Sequence, residues 1–136
     1  MMLNLLLTSV YSQLPEDKVP QPVRAAFQKK FPKVNSITWK EEGKSVYVAY
    51  FLNSGSASRE LFSKDGKWLE AYKTIPAKAL PEPVISTIGK LYKEDSILSA
   101  ERVSLAGYGL CYDAVIGNSE HKKTIRFSKT GEVMKK

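Results

Sequence analysis

A proline-rich stretch that occurs twice constrains the fold of this chain more than any other feature of the sequence. Residues 14–23 have the sequence LPEDKVPQPV, and residues 75–84, at an offset of 61, have the sequence IPAKALPEPV. Three prolines coincide at this one offset, for which the chance probability is on the order of 10⁻⁴ at ordinary proline usage. The chain therefore contains two copies of one unit, and we expect the second copy to repeat the architecture of the first.

Each copy is predicted to begin with a short amphipathic helix. In the first copy, Pro20 and Pro22 are compatible with a first helical turn, where the missing N–H would have no partner. Pro32 ends the helix, because the residue before a proline is driven out of the α region. Apolar residues recur between them at helical spacing. They are Val23, Ala26, Phe27 and Phe31. The second copy has Val84, Ile88, Leu91 and Tyr92, of which Val84, Ile88 and Tyr92 lie 61 residues after Val23, Phe27 and Phe31. Helices this short must pack on another element to be stable.

Four short strands are predicted to follow each helix. Residues 36–40 alternate between apolar and polar, and residues 46–52 are rich in β-branched and aromatic side chains. Asp65-Gly66 lies between two further apolar runs, and this dipeptide favours a tight hairpin. Beyond the second helix the offset between the copies grows from 61 to 65, which places four additional residues near Gly107, in the first hairpin of the second copy.

The duplication also predicts which side chains share a face of the sheet. Positions that are apolar in both copies should face the helices, because a strand alternates its side chains between two faces. These positions are Tyr47, Ala49 and Phe51, with Tyr112, Ala114 and Ile116 in the second copy. The intervening positions, where Val48 aligns with Asp113 and Leu61 with Arg126, should lie on the opposite face.

These residues resemble those of the PepSY-like, beta-lactamase-inhibitor-like group of exported bacterial proteins. The resemblance rests on Val-Pro-x-x-Val-x-x-x-Phe-x-x-x-Phe-Pro at 19–32, Ile-Thr-Trp at 37–39, Tyr-x-Ala-x-Phe at 47–51 and Phe-x-x-Asp-Gly at 62–66. It covers nearly the whole chain from Leu14. It implies an α+β domain of two helix-plus-four-strand repeats, 14–74 and 75–136, that form one curved antiparallel sheet with the helices on one face. It also implies export and binding without catalysis, whereas an inhibitory activity does not follow, because fold does not determine function.

Residues 1–13 differ from the rest of the chain, since they are apolar and uncharged. They are too short to span a bilayer, which requires about 20 residues. They are typical of the end of a secretory signal, with Val10 and Ser12 at the small-residue positions that precede a cleavage site. A positively charged start is missing, so a buried N-terminal strand is the alternative. The signal interpretation predicts a periplasmic or secreted protein.

The residue types that catalysis or metal binding requires are dispersed along the chain. His121 and Cys111 are the only histidine and the only cysteine, and they fall on different predicted strands. Acidic neighbours at 16–17, 41–42 and 94–95 lie at turns and helix ends, where carboxylates favour caps and solvent. We therefore predict a protein that is not an enzyme, needs no cofactor or metal, and has no membrane span.

The face opposite the helices is predicted to be apolar in the first copy, and an exposed apolar sheet face usually marks an interaction surface. We expect a protein or peptide partner to bind there. Aromatic residues are enriched among binding hot spots, and the candidate contact residues are Trp39, Val48, Tyr50, Leu61 and Trp68. The same face could instead be covered by residues 1–13 or by the second subunit of a homodimer.

The net charge of +7 raises an alternative function, binding to nucleic acid or to an anionic surface. The basic residues are scattered, however, and the longest basic runs are pairs, at 29–30, 122–123 and 135–136. This distribution is typical of a solvated, mildly basic surface. We therefore favour a protein or peptide partner over nucleic acid.

Overall fold

The structure, a computed structural model, describes residues 13–135. Two α-helices and eight strands follow one another as a helix and four strands, twice. The elements are α1 (Gln21–Lys30), β1 (Thr38–Glu42), β2 (Val46–Asn53), β3 (Ser56–Ser63), β4 (Trp68–Ile75), α2 (Glu82–Leu91), β5 (Ser96–Leu105), β6 (Gly109–Gly117), β7 (Lys122–Ser128) and β8 (Val133–Met134). The strands form an antiparallel sheet in which their order is the chain order. The predicted α+β architecture of two tandem repeats is confirmed.

The chain divides into two compact units. The first extends to Leu52 and includes Ala57–Glu70, and the second comprises Asn53–Ser56 and the chain from Ala71 onward. Neither described helix, at ten residues each, has the length that crossing a membrane requires. The segment interpreted as a signal or a strand lies almost entirely outside the described residues, which begin at Gln13.

The core of the first unit lies between α1 and the sheet. Phe27 of α1 contacts Trp39 of β1 and Phe51 of β2 edge to face, with ring centroids 5.7 and 5.0 Å apart, a favourable geometry for aromatic pairs. Tyr47 and Ala49 are buried in the same cluster. The prediction that Tyr47, Ala49 and Phe51 face the helix is therefore confirmed.

The second unit has an equivalent core beneath α2. Val84 and Ile88 of α2 are buried in one cluster with Ala114 and Ile116 of β6 and Phe127 of β7. Since side chains alternate along a strand, Asp113 and Arg126 lie on the opposite face, as the duplication predicted.

The prolines that reveal the duplication also contact the last hairpin of each unit. Gly66, in the β3–β4 turn, has a φ of +90°, and a Cβ there would lie 2.6 Å from the carbonyl oxygen of Pro22. Gly131, in the β7–β8 turn, has a φ of +93°, and a Cβ there would lie 2.5 Å from the carbonyl oxygen of Pro83. Glycine thus allows the turn to pack closely against the first turn of the helix in both units.

Candidate functional site

Two of the five predicted contact residues lie on the side of the sheet that faces α1. Trp39 is only 3% exposed and packs in the core against Phe27. Trp68 is half-buried, packs on the same core, and lies under Lys30 of α1, whose Nζ is 4.4 Å from the centroid of the indole ring. A partner docked on the opposite face would therefore not reach either indole ring.

The other three candidates lie on the opposite face, but they differ in accessibility. Tyr50 and Leu61 are half-buried, whereas Val48 is 0% exposed. The expectation that Val48 offers an accessible contact is thus wrong for this structure. Val48 lies in the middle of β2, where β1 and β3 flank it, and neighbouring strands can enclose a short β-branched side chain there.

An open groove adjoins Tyr50 where β2 ends. Its volume is about 510 Å³, and its walls come from the loop between α1 and β1 and from the facing ends of β1 and β2. The lining residues are Lys33, Val34, Asn35, Ser36, Thr38, Tyr50, Phe51 and Leu52. Leu52 is 67% exposed. We call this surface the Tyr50 groove.

Charge at the Tyr50 groove is basic. Lys33 lines it directly, and Nζ of Lys40 lies 5.0 Å from the centroid of the Tyr50 ring, within range of a cation–π interaction. No carboxylate is among the residues that line the groove. The surface therefore combines an aromatic ring and an exposed leucine with ammonium groups, a chemistry that suits an apolar segment carrying a negative charge.

A buried carboxylate lies on the helix side of the first unit. Glu60 of β3 is buried, and its Oε1 accepts a hydrogen bond of 2.8 Å from Nζ of Lys30. Burial raises the pKa of Glu60 above its usual value, and the ion pair with Lys30 offsets part of this increase. The pair connects α1 to β3.

A second buried polar cluster lies in the second unit. Arg126 of β7 donates hydrogen bonds to both carboxylate oxygens of Asp113 on β6, and a further one of 3.0 Å to the hydroxyl of Tyr72. The hydrogen bonds to Asp113 raise the pKa of Arg126 still further above its usual range. Asp113 and Arg126 are buried, and Tyr72 is half-buried. Sequence reasoning placed Asp113 and Arg126 on one face but did not connect Tyr72 with them.

The described part of the chain holds no cluster of three or more His, Cys, Asp or Glu side chains that could bind a metal ion. His121 approaches one carboxylate, with its Nε2 3.8 Å from Oδ1 of Asp95. Cys111 is fully buried.

The family comparison agrees with the duplicated architecture. The family model described as "Putative beta-lactamase-inhibitor-like, PepSY-like" matches residues 6–50 and, a second time, residues 45–135. The chain belongs to this PepSY-like family. The first match contains α1, and the second contains α2 together with the strands from β2 onward.

Solved structures share the PepSY-like fold over most of the chain. A "putative periplasmic" protein from Bacteroides eggerthii is 22% identical with a TM-score of 0.78, and the alignment covers 86% of each chain. A DUF2874 family protein from Bacteroides ovatus is 19% identical with a TM-score of 0.76, covering 85% of this chain and 84% of that one. A BLIP-like protein from Bacteroides fragilis is 20% identical with a TM-score of 0.73, covering 90% of this chain and 85% of that one. No curated protein matches the chain.

Proposed function

We propose that this PepSY-like protein is a non-catalytic protein of the cell envelope, periplasmic or secreted, that binds a protein or peptide at the Tyr50 groove. The observation that carries the proposal is the groove itself, in which the half-buried ring of Tyr50 and the exposed side chain of Leu52 lie beside Lys33. Aromatic and apolar side chains at the surface provide most of the energy in protein interfaces. The neighbouring lysines favour a ligand segment with an acidic residue.

Two observations support a location in the envelope. One structural relative is described as a "putative periplasmic" protein, and residues 1–13 have the apolar, uncharged composition of a signal end. An inhibitor-like role is supported by the relative described as BLIP-like and by the description of the family. Such a role is one form of protein binding and needs no catalytic group in this chain.

The proposal is tested by comparing two leucine variants. Leu52→Asp places a carboxylate in the Tyr50 groove, and Leu98→Asp places one at an exposed leucine of β5 as a matched control. We expect Leu52→Asp to abolish the capture of envelope proteins by the immobilised chain, while Leu98→Asp captures the wild-type set. Quantitative mass spectrometry measures both, and circular dichroism verifies the fold. Identical capture by all three proteins would refute binding at the groove.

The inhibitor-like role is tested directly with purified enzyme. The full chain is titrated into a β-lactamase that hydrolyses a chromogenic cephalosporin, and a saturable loss of rate that Leu52→Asp prevents is the expected result for an inhibitor. An unchanged rate at high excess of the chain would exclude inhibition of that enzyme. Binding at the groove would then depend on the capture experiment alone.

A further inference from the structure

The β5–β6 hairpin extends further than its counterpart in the first repeat. It contains nine cross-strand pairs, against five in the β1–β2 hairpin. The last pair between β6 and β7 is Cys111↔Ser128. Beyond it the hairpin continues through two more pairs, Ser104↔Leu110 and Leu105↔Gly109, and a turn. The additional residues that the sequence placed near Gly107 therefore form a tip that extends past β7.

A backbone hydrogen bond closes the turn at this tip. The N–H of Tyr108 donates it to the carbonyl oxygen of Leu105 over 3.1 Å. Gly107 and Gly109 have φ values of +81° and +111°, a region that glycine adopts readily. A preorganised loop loses little conformational entropy when it binds, so more of its contact energy appears as affinity.

The tip exposes large apolar side chains. Tyr108 is 57% exposed and Leu110 is 39% exposed, while Leu105 is half-buried. The corresponding tip of the first repeat has the sequence EEGKS at residues 41–45 and is charged and exposed. Two copies of one unit thus differ at the same place, which shows that the hairpin does not require an apolar tip in order to fold.

The hairpin itself carries little basic charge, which favours a protein partner over an anionic surface. Between Arg102 and Lys122 the chain contains no lysine or arginine, although its net charge is +7, and a single lysine, Lys129, follows the β7 partner of Cys111. Binding to anionic lipid or to nucleic acid depends on basic side chains beside the contact. Arg102 itself is exposed at the base of the tip, and its cross-strand partner is Tyr112, two residues from Leu110, so Arg102 and Leu110 share a face.

We propose that this tip, formed by Leu105, Tyr108 and Leu110, is an anchor that inserts into an apolar cleft of a folded protein, with a carboxylate at the rim of the cleft facing Arg102. The inference rests on the proposed protein-binding function and adds a second, separate contact element to it. A protruding hairpin fits a concave surface, and a tyrosine that becomes buried in such a cleft is a typical hot spot.

Site-specific photo-crosslinking in the source organism tests the anchor with the full chain. p-Benzoylphenylalanine replaces Tyr108 in one variant and, as a matched control on the other hairpin tip, Lys44. We expect an adduct with one protein from position 108 and none from position 44. The crosslinked protein is then identified and purified, and its Kd is measured with the wild-type chain and with the variants.

In the purified system we expect Tyr108→Ala to weaken binding by at least about tenfold and Lys44→Ala by no more than about twofold. Arg102→Glu should raise the Kd and reverse the salt dependence. A full Kd series in which Tyr108→Ala binds like wild type, or the absence of any adduct at position 108, overturns the anchor.

Two further results separate this inference from the proposed function. If Leu52→Asp abolishes binding and the tip variants do not, binding at the groove stands and the anchor fails. If only the tip variants abolish binding, the anchor stands and the Tyr50 groove fails. Sedimentation with phosphatidylglycerol vesicles tests whether the tip binds a membrane instead. Vesicle binding that Tyr108→Ala removes would overturn the anchor in favour of a membrane-binding element.

Discussion

The guanidinium of Arg126 lies against the carboxylate of Asp113 on the neighbouring strand, with Nε 2.7 Å from Oδ1 and Nη2 3.0 Å from Oδ2. In the first repeat the two equivalent positions are apolar. The aligned positions hold Val48 and Leu61. A buried ion pair in one repeat therefore corresponds to a hydrophobic pair in the other. Both combinations are compatible with the same strand geometry.

This correspondence leads to a double-mutant prediction. Asp113→Val or Arg126→Leu alone removes one member of a buried ion pair, and each should destabilise the fold by about 3–5 kcal/mol. The double variant has the two residues of the first repeat. Its loss of stability should be far smaller than the sum of the losses in the two single variants. Urea denaturation of the four proteins measures the coupling energy. Additive losses would show that the ion pair does not act as a unit.

Glu60 should make stability depend on pH in a direction that its burial determines. Because the folded state raises the pKa of Glu60 above its usual value of 4.5, the folded protein binds this proton more tightly than the unfolded protein does. The stabilisation that protonated Glu60 contributes to the free energy of unfolding is present below pH 4.5 and is lost as the pH rises through the raised pKa. Glu60→Gln should remove this loss, so the stability of the wild type relative to the variant falls as the pH increases.

Lys30 provides the matched control for the Glu60 experiment. The ammonium of Lys30 favours the ionised carboxylate, so Lys30→Met should raise the pKa of Glu60 further and extend the loss of stability to higher pH. Urea denaturation from pH 4 to pH 8 measures both variants. A relative stability of wild type over Glu60→Gln that increases with pH would contradict the assignment.

The two turn glycines should be less tolerant of a side chain than an open glycine. Gly66→Ala and Gly131→Ala each place a Cβ within 2.6 Å of a helix carbonyl oxygen, at positive φ. Gly43 has a φ of +63° but no atom within 4 Å of the added Cβ, so Gly43→Ala should cost only the backbone strain, about 1 kcal/mol. Thermal unfolding should show a larger loss for Gly66→Ala and Gly131→Ala. Three equal losses would mean that the close approach to the helix is unimportant.

The duplication predicted the order of the elements and the faces of β2 and β6, because alignment of two copies shows which positions remain apolar. It did not predict where Trp39 points. Trp39 is opposite Ala49 in the β1–β2 hairpin, and that pairing depends on the length of the loop between the strands. A change of one residue in the pairing would turn Trp39 to the other face. The residue types in the loop do not determine its length to within one residue, so the sequence alone does not predict which face Trp39 occupies.

The burial of individual side chains and the long-range hydrogen bonds likewise could not be predicted from the sequence. Tyr72 is 54 residues from Arg126 along the chain, and no local pattern connects them. Leu52 and Val48 lie on the same strand two pleats apart, yet one is exposed and the other buried. Accessibility on a sheet face depends on which strands and loops lie beside each position, and these neighbours are distant in sequence.

Val48 and Tyr50 should therefore respond differently to an introduced charge. Val48→Asp would bury a carboxylate in a site that is 0% exposed, and we expect it to destabilise the fold by about 3–5 kcal/mol. Val48→Thr, which keeps the shape and adds no charge, should lose about 1–3 kcal/mol. Tyr50→Asp removes a half-buried ring and its contact with Lys40, with a loss of about 1–2 kcal/mol.

Urea denaturation ranks these three variants, and capture of envelope proteins by the folded Tyr50→Asp variant separates binding from stability. Loss of capture with a native circular dichroism spectrum is the expected result for Tyr50→Asp. If Val48→Asp unfolds at the same urea midpoint as the wild type, Val48 is accessible in solution and is again a candidate contact residue. A stable Val48→Asp that also loses capture would move the binding surface from the end of β2 to its centre.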